Sequence, residues 1–273
     1  MKAKVWLAIP LLIAGGRSAG GLPVKTALAN ALQGTRASAV VLDSHTGVVL
    51  ATTGNLTRDT PGSAIKPLLL SYALEHGIVH PETEVYCRRT LKVGSLSLPC
   101  THPQDQKIFM AENALAESCN TWFAAMAQRF SGSQLEAALR YIRLSHVSMD
   151  DASVEQRQLA VLGLRGVTAS PIELALAYRD LLERMPATGP VAQGLRDSVS
   201  YGMAHPASVA GLAILGKTGT ASNPGEAWTH GWFAGSLPDR FVVVVYVPHG
   251  DGGTAARLAQ KFFVAVTAEG ILK

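Results

Sequence analysis

Hydrophobic and polar positions change their period twice along this chain. Two apolar runs rich in β-branched residues, at 37–42 and 48–52, flank a segment of turn formers at 43–47. This pattern predicts a β-hairpin. The last third of the chain returns to strand-like runs and then to a closing helix, at residues 212–217, 232–236, 241–247 and 254–268.

The middle of the chain has the longer period of helices. Apolar residues at 68–74 follow Pro67, which suits a first helical turn, and precede Gly77, a natural helix end. Residues 78–105 show no clear period, and further helical windows follow at 109–116, 121–130, 134–144, 170–183 and 191–205. We therefore predict an α+β fold, an antiparallel sheet flanked by helices with an inserted all-helical subdomain at roughly 64–210.

The first 22 residues are predicted to be a separate unit. Lys2 and Lys4 precede an apolar run at residues 5–14. A basic start followed by roughly ten apolar residues is typical of a signal peptide and is short for a membrane span. We expect residues 1–22 to be a signal peptide or short membrane anchor and residues 23–273 to be the exported domain.

Composition indicates a folded domain and limits the classes of molecule that it is expected to bind. The chain has 273 residues, 48% of them hydrophobic and 16% charged, which is ample material for a core. Its net charge of +4 is scattered, without a basic run, so no nucleic acid is expected as a partner. A mildly basic surface would suit an anionic wall or membrane face, although ordinary solvated charge explains it equally well.

The three cysteines allow three pairings, of which one is preferred. Cys87 and Cys100 flank Gly94, so in an oxidising compartment they could bridge the ends of a hairpin. Two separate buried thiols are the alternative, and Cys119 would be the remaining thiol. No metal site is predicted: His76 and His80 are four residues apart, but a glycine and a proline interrupt the helix that would align them.

Three short motifs, each present once, carry the candidate chemistry. The first places Ser63 and Lys66 at positions i and i+3 of a helix start, where their β-carbons would lie about 5–6 Å apart. A serine needs a base to become a nucleophile, and lysine can serve when burial or a second cation lowers its pKa. Taken alone, the pair also fits a helix-capping serine and a solvated lysine.

The second motif is Ser118-Cys119-Asn120, which alone could simply cap the helix predicted from residue 121. The third is Lys217-Thr218-Gly219-Thr220. Gly219 within a strand would permit close approach of a ligand backbone, and the lysine and threonine side chains suit a carboxylate. An edge strand with a polar turn is the alternative.

In this order the motifs resemble the S-x-x-K, S-x-N and K-T-G set of penicillin-binding proteins and serine β-lactamases. The resemblance extends into the flanking sequence and spans about residues 37–250, including segments 39–47, 61–67, 116–123, 170–175 and 216–235. It implies the penicillin-binding fold and a location at the extracytoplasmic face of the bacterial membrane or in the periplasm. It also implies acyl transfer on D-Ala-D-Ala stem peptides of peptidoglycan, with β-lactams as competing ligands and no cofactor.

The resemblance implies four catalytic side chains. Ser63 would attack the scissile carbonyl and Lys66 would take its proton. Ser118 would relay a proton toward the leaving amine, and Lys217 would maintain the local electric field.

The same resemblance implies a substrate-binding set. Asn120 would orient the substrate amide, and Thr218, Gly219 and Thr220 would hold the terminal carboxylate. The backbone N–H groups of Ser63 and Thr220 would form the oxyanion hole.

Several functions remain open at this stage. D,D-transpeptidase is the leading prediction, with D,D-carboxypeptidase beside it. A serine β-lactamase is less favoured because no E-x-x-L-N segment lies between the second and third motifs and Glu173 fits a helix start. A β-lactam sensor or a non-catalytic subunit of a wall complex is the remaining alternative. A separate glycosyltransferase or wall-synthesis complex is an expected partner.

Overall fold

The computed structural model describes residues 21–271, so the predicted leader lies almost wholly outside the described residues. The helices are α1 (Gly21–Leu32), α2 (Lys66–Glu75), α3 (Ala111–Ala116), α4 (Asn120–Arg129), α5 (Gly132–Tyr141), α6 (Val154–Val161), α7 (Pro171–Arg184), α8 (Pro190–Ser200) and α9 (Gly252–Ala268). The strands are β1 (Ser38–Asp43), β2 (Val49–Thr53), β3 (Val85–Tyr86), β4 (Thr90–Val93), β5 (Leu96–Pro99), β6 (Ile108–Phe109), β7 (Ser145–His146), β8 (Val167–Thr168), β9 (Leu215–Ala221), β10 (His230–Leu237) and β11 (Phe241–Val247). Two 3-10 helices cover Gly62–Ile65 and His205–Ala207. Within residues 21–271, no helix is both long and apolar enough to cross a membrane.

Five strands form the central antiparallel sheet in the order β2-β1-β11-β10-β9. Helices cover both faces, which explains why every residue of β11 is buried. Val243 and Val245 pack with α1 and α9 in one apolar cluster. Val242 and Val244 face the opposite way and pack in a second cluster with α2, α4 and α7. The predicted sheet flanked by helices is confirmed.

The inserted region is less purely helical than predicted. It also contains three two-stranded ladders, β3–β6, β4–β5 and β7–β8. The β4–β5 hairpin turns at Gly94, whose φ of +54° favours glycine. Residues 78–105 were therefore wrongly predicted to be irregular, since a strand of two to four residues is too short to show a period.

Two helix starts show how local hydrogen bonding sets the boundaries. Ser170 caps α7 by accepting from the N–H of Glu173, whose side chain accepts from the N–H of Ser170 in return. This confirms the helix start predicted there. Ser153 and Gln156 form the same capping box before α6, a helix that the apolar pattern did not reveal.

Candidate active site

Ser63 lies in the 3-10 turn that leads directly into α2, and this turn packs backbone against backbone on β9. A β-carbon added to Gly219 would lie 2.2 Å from the carbonyl oxygen of Pro61. One added to Gly62, whose φ is +53°, would lie 2.7 Å from the carbonyl oxygen of Thr220. Glycine at both positions therefore allows the first and third motifs to meet.

Hydrogen bonds from the sheet and from α7 fix the nucleophile turn at both ends. The buried hydroxyl of Tyr178 donates to the carbonyl oxygen of Ala64 at 2.7 Å. The indole N–H of Trp232 donates to the carbonyl oxygen of Thr60 at 2.9 Å, and His230 Nε2 lies 2.8 Å from the same oxygen. The sequence motifs gave no sign of these supports, which come from two distant elements, α7 and β10.

Lys66 joins the first motif to the second. Its side chain is fully buried, and Nζ donates to the carbonyl oxygen of Ser118 at 3.0 Å, to Ser118 Oγ at 3.2 Å and to Asn120 Oδ1 at 2.8 Å. Nζ also lies 4.9 Å from the centre of the Phe123 ring. Burial lowers the pKa of Lys66 to about 8, so a substantial fraction is neutral near physiological pH. The solvated-lysine alternative is wrong.

Ser118 is held in an unusual backbone conformation between α3 and α4. Its φ is +56°, and it occupies the left-handed position that ends α3. The N–H of Ser118 donates to Leu115 O at 3.3 Å, and the N–H of Cys119 donates to Ala114 O at 2.9 Å, as in a Schellman motif. Cys119 then precedes α4 as its cap residue and Asn120 begins the helix, so simple side-chain capping does not explain this motif.

Lys217 is the second buried lysine of the site. Burial holds its pKa well below the ordinary range, the nearby Lys66 cation lowers it further, and Glu117 opposes both effects. Burial in turn raises the pKa of Glu117, a carboxyl group that no sequence motif indicated. Protonation of Lys66 therefore disfavours protonation of Lys217 in this buried region.

A cleft of about 390 Å³ connects the three motifs. Five of the predicted site residues line it: Ser63, Ser118, Asn120, Thr218 and Thr220. Lys66 and Lys217 are buried, and Gly219 is not part of the lining. The neighbour that an added β-carbon would meet at Gly219 is the chain's own Pro61, and the approach of a ligand backbone there stays a prediction.

The two threonines of the third motif differ in their hydrogen bonding. Thr220 Oγ1 accepts from the N–H of Gly252, the first residue of α9, at 2.9 Å. Its own hydroxyl proton is therefore left to donate to a ligand. Thr218 Oγ1 donates to the carbonyl oxygen of Met203 at 3.4 Å. Thr220 is the better placed of the two to bind a carboxylate.

The expected bridge between Cys87 and Cys100 is absent, since all three cysteines are free thiols in the structure. Cys87, Cys100 and Cys119 lie together with His102, their side-chain ligand atoms all within 4.8 Å of one another. Because Cys119 lies in the same cluster, the spacing of the cysteines along the chain could not identify which two would pair. Cys100 also lines the cleft.

Comparisons with known proteins agree with this architecture. A family model of the penicillin binding protein transpeptidase domain matches residues 37–267. The D,D-transpeptidase domain of a peptidoglycan glycosyltransferase from Eggerthella lenta is similar in fold, with a TM-score of 0.78, 18% identity, and coverage of 91% of this chain and 82% of that one. The transpeptidase domain of penicillin-binding protein 3 from Burkholderia pseudomallei gives a TM-score of 0.76 and 19% identity, covering 92% and 93%.

A chain from a peptidoglycan synthase complex that coordinates polymerization and crosslinking gives a TM-score of 0.72 and 21% identity, covering 89% of this chain and 59% of that one. No curated protein matches this chain in a sequence comparison. The family model nevertheless covers most of the chain and includes all three motifs. The chain therefore belongs to the penicillin binding protein transpeptidase domain family.

Proposed function

We propose that this chain is a serine D,D-transpeptidase that cross-links peptidoglycan stem peptides ending in D-Ala-D-Ala, through an acyl-enzyme on Ser63. One observation carries the proposal: the buried amine of Lys66, three residues after Ser63, donates hydrogen bonds to both Ser118 and Asn120 beside a cleft that Ser63 lines. A nucleophile, a base with a lowered pKa and an amide-binding group thus occupy one site.

The acylation step follows from this arrangement. Ser63 Oγ attacks the carbonyl carbon of the penultimate D-Ala while neutral Lys66 accepts the hydroxyl proton. The oxyanion that forms is stabilised by the backbone N–H groups of Ser63 and Thr220. The carbon–nitrogen bond then breaks, Ser118 passes a proton to the departing D-Ala amine, and an ester to Ser63 remains.

The remaining motif residues bind the substrate in this proposal. Asn120 orients the stem-peptide amide, and the free hydroxyl proton of Thr220 is donated to the terminal carboxylate. Lys217 lies on the same strand and supplies positive charge in this proposal while Lys66 is neutral, because Glu117 favours its charged form. In the second half-reaction an amine of another stem peptide attacks the ester carbonyl. The bond from this carbon to Ser63 Oγ breaks, the cross-link forms, and Oγ regains a proton.

The carboxylates near the cleft favour transfer to an amine over rapid hydrolysis. Among the described residues that line the cleft, the carboxylate is Asp251, which accepts from the N–H of Thr254 at 2.7 Å and from its hydroxyl at 2.9 Å. Glu173 accepts from Ser170 and from Arg58. Both groups are engaged in helix caps, which disfavours their use as the base that activates water in a β-lactamase.

The proposed location is the periplasm or the extracytoplasmic face of the membrane, where peptidoglycan is assembled. Likeness to a chain of a peptidoglycan synthase complex supports a further proposal, that this domain works beside a separate glycosyltransferase. Co-purification from cross-linked cells would test that association independently of the chemistry.

Intact-mass analysis after incubation with benzylpenicillin tests the acylation chemistry, with Ser63→Ala as the matched variant. We expect a persistent one-to-one adduct on the parent chain and none on the variant. Incubation with a D-Ala-D-Ala pentapeptide and an acceptor amine should then release D-Ala and yield the cross-linked dimer. Rapid loss of penicillin without an adduct would instead identify a β-lactamase, and D-Ala release without the dimer would identify a carboxypeptidase.

A further inference from the structure

All three cysteines of the chain converge with one histidine outside the proposed reaction path. Cys87 follows β3, Cys100 follows β5, His102 lies two residues further on, and Cys119 precedes α4. All four side chains are buried. Three segments of the chain therefore deliver three thiols and one imidazole to a single point.

We propose that Cys87, Cys100, His102 and Cys119 form a structural zinc site. Three thiolates and one imidazole are a common ligand set of closed, tetrahedral zinc centres. In such a centre, sulfur atoms about 2.3 Å from the metal lie about 3.8 Å from one another. The four ligand atoms here are already within 4.8 Å of one another, so the ligands need to move by no more than about 1 Å to close around zinc.

The surroundings of His102 suit a metal ligand. Its Nε2 points at the cluster, 3.3 Å from Cys87 Sγ. Its Nδ1 lies 3.1 Å from the carbonyl oxygen of Pro103, the acceptor that a zinc-bound histidine needs for its other N–H. Arg89 Nη1 donates to the same oxygen at 2.9 Å and lies 2.7 Å from Nδ1, so zinc binding through Nε2 requires this guanidinium to turn away from Nδ1. The ring also packs against Phe109, with centroids 4.4 Å apart, which restricts its orientation.

The site would connect two segments of the cleft wall. Cys119 stands between Ser118 and Asn120, and Cys100 lies in the cleft wall. Asn120 Nδ2 also donates to the carbonyl oxygen of Pro99 at 3.3 Å, so the two segments already meet beside the cluster. A metal bound here would hold the second motif against the β4–β5 hairpin without contacting substrate. It would therefore affect catalysis through positioning.

A disulfide is the competing outcome. Joining two of the thiols would require an oxidant and would release two hydrogens, leaving the third thiol and His102 without a common partner. Zinc instead uses all four ligands and displaces the thiol protons to solvent. The two outcomes differ in mass and in metal content, so they can be separated directly.

Metal analysis of the full chain, purified without chelator, tests the site. We expect one zinc per chain by inductively coupled plasma mass spectrometry, and the visible spectrum of tetrahedral thiolate coordination after replacement by Co²⁺. His102→Gln should lower zinc content at least tenfold, whereas His102→Cys should keep it by supplying a fourth thiolate. Thr121→Val is the matched control, because Thr121 Oγ1 lies 3.4 Å from Cys87 Sγ but is not a proposed ligand. It should retain zinc.

Chelation of the intact chain keeps the test independent of how the variants fold. Removing zinc should lower the melting temperature and the rate of acylation by penicillin, and added Zn²⁺ should restore both. A zinc-free chain with three alkylatable thiols would overturn the proposal. So would a mass lower by two hydrogens with a single reactive thiol, or equal zinc in the parent and His102→Gln chains. None of these results would bear on whether Ser63 is the nucleophile.

Discussion

Gly219→Ala gives a sharp test of how the nucleophile is positioned. The added β-carbon would lie 2.2 Å from Pro61 O and 2.9 Å from Ala64 N, whereas ordinary contact begins at 3.4 Å. Both neighbours are backbone atoms, so no side chain can rotate away. The turn that carries Ser63 must retreat from β9 by about 1 Å, a displacement that can cost about 10²-fold in rate.

The same clash should also reduce stability. Overpacking of this kind costs about 1–3 kcal/mol. For a domain of this size each kcal/mol lowers the melting temperature by about 2–4 °C. We therefore expect Gly219→Ala to fold at room temperature, with a lower melting temperature and acylation slowed by about two orders of magnitude.

Stopped-flow acylation with a fluorescent penicillin measures the rate, and circular dichroism measures the melting temperature. Gly253→Ala is the matched control, because its β-carbon would have Asp251 Oδ1 as its nearest neighbour at 3.4 Å and it lies within α9. It should acylate at the parent rate. Acylation of Gly219→Ala at the parent rate would refute the reasoning that contact between the turn and β9 positions Ser63.

Three further predictions concern other parts of the site. Because only neutral Lys66 can accept a proton and its pKa is about 8, the acylation rate should rise about tenfold per pH unit between pH 6 and 7 and level off above pH 8 to 9, as measured by stopped flow across a buffer series. Tyr178→Phe removes the buried hydrogen bond to the carbonyl oxygen of Ala64 and should lower the free energy of unfolding by about 1–3 kcal/mol in a urea titration. Glu173→Gln keeps the capping box of α7, because Gln156 fills the same position before α6, and the lifetime of the penicillin adduct, followed by mass spectrometry, should stay the same.

Each of these expectations has a result that contradicts it. A flat rate between pH 6 and 8 would mean that Lys66 is not the base, and loss of the slope in Lys66→Arg would support its role. Unchanged stability of Tyr178→Phe would mean that water replaces the phenol hydroxyl. A longer-lived adduct in Glu173→Gln would make Glu173 a deacylating base, contrary to its role as a cap.

Local patterns predicted those parts of the molecule that local forces determine. The turn formers at residues 43–47 marked the β1–β2 hairpin, and the helical window at 170–183 marked α7, whose start is fixed by a capping box. The apolar run of β11 was recognised as a strand because both of its faces are buried. In each case a few neighbouring residues specify the element without help from the rest of the chain.

Features that depend on distant contacts could not be read in this way. The sequence places Gly219 within a strand, but it does not show that the backbone carbonyl of Pro61 packs against it. It shows three cysteines, but the meeting of Cys119 with Cys87 depends on how α4 packs near the β4–β5 hairpin. The hydrogen bond from Trp232 to Thr60 likewise exists only once the sheet has closed on the nucleophile turn.

The sheet order has a kinetic consequence. β1 pairs with β11, and the bond between Trp232 and Thr60 joins positions 172 residues apart. Closing such long loops is slow, and it cannot start until β9, β10 and β11 have been synthesised. Until then the segment around Ser63 cannot pack against β9. A nascent chain should therefore be unreactive toward penicillin, and its reactivity should appear only with the final strands.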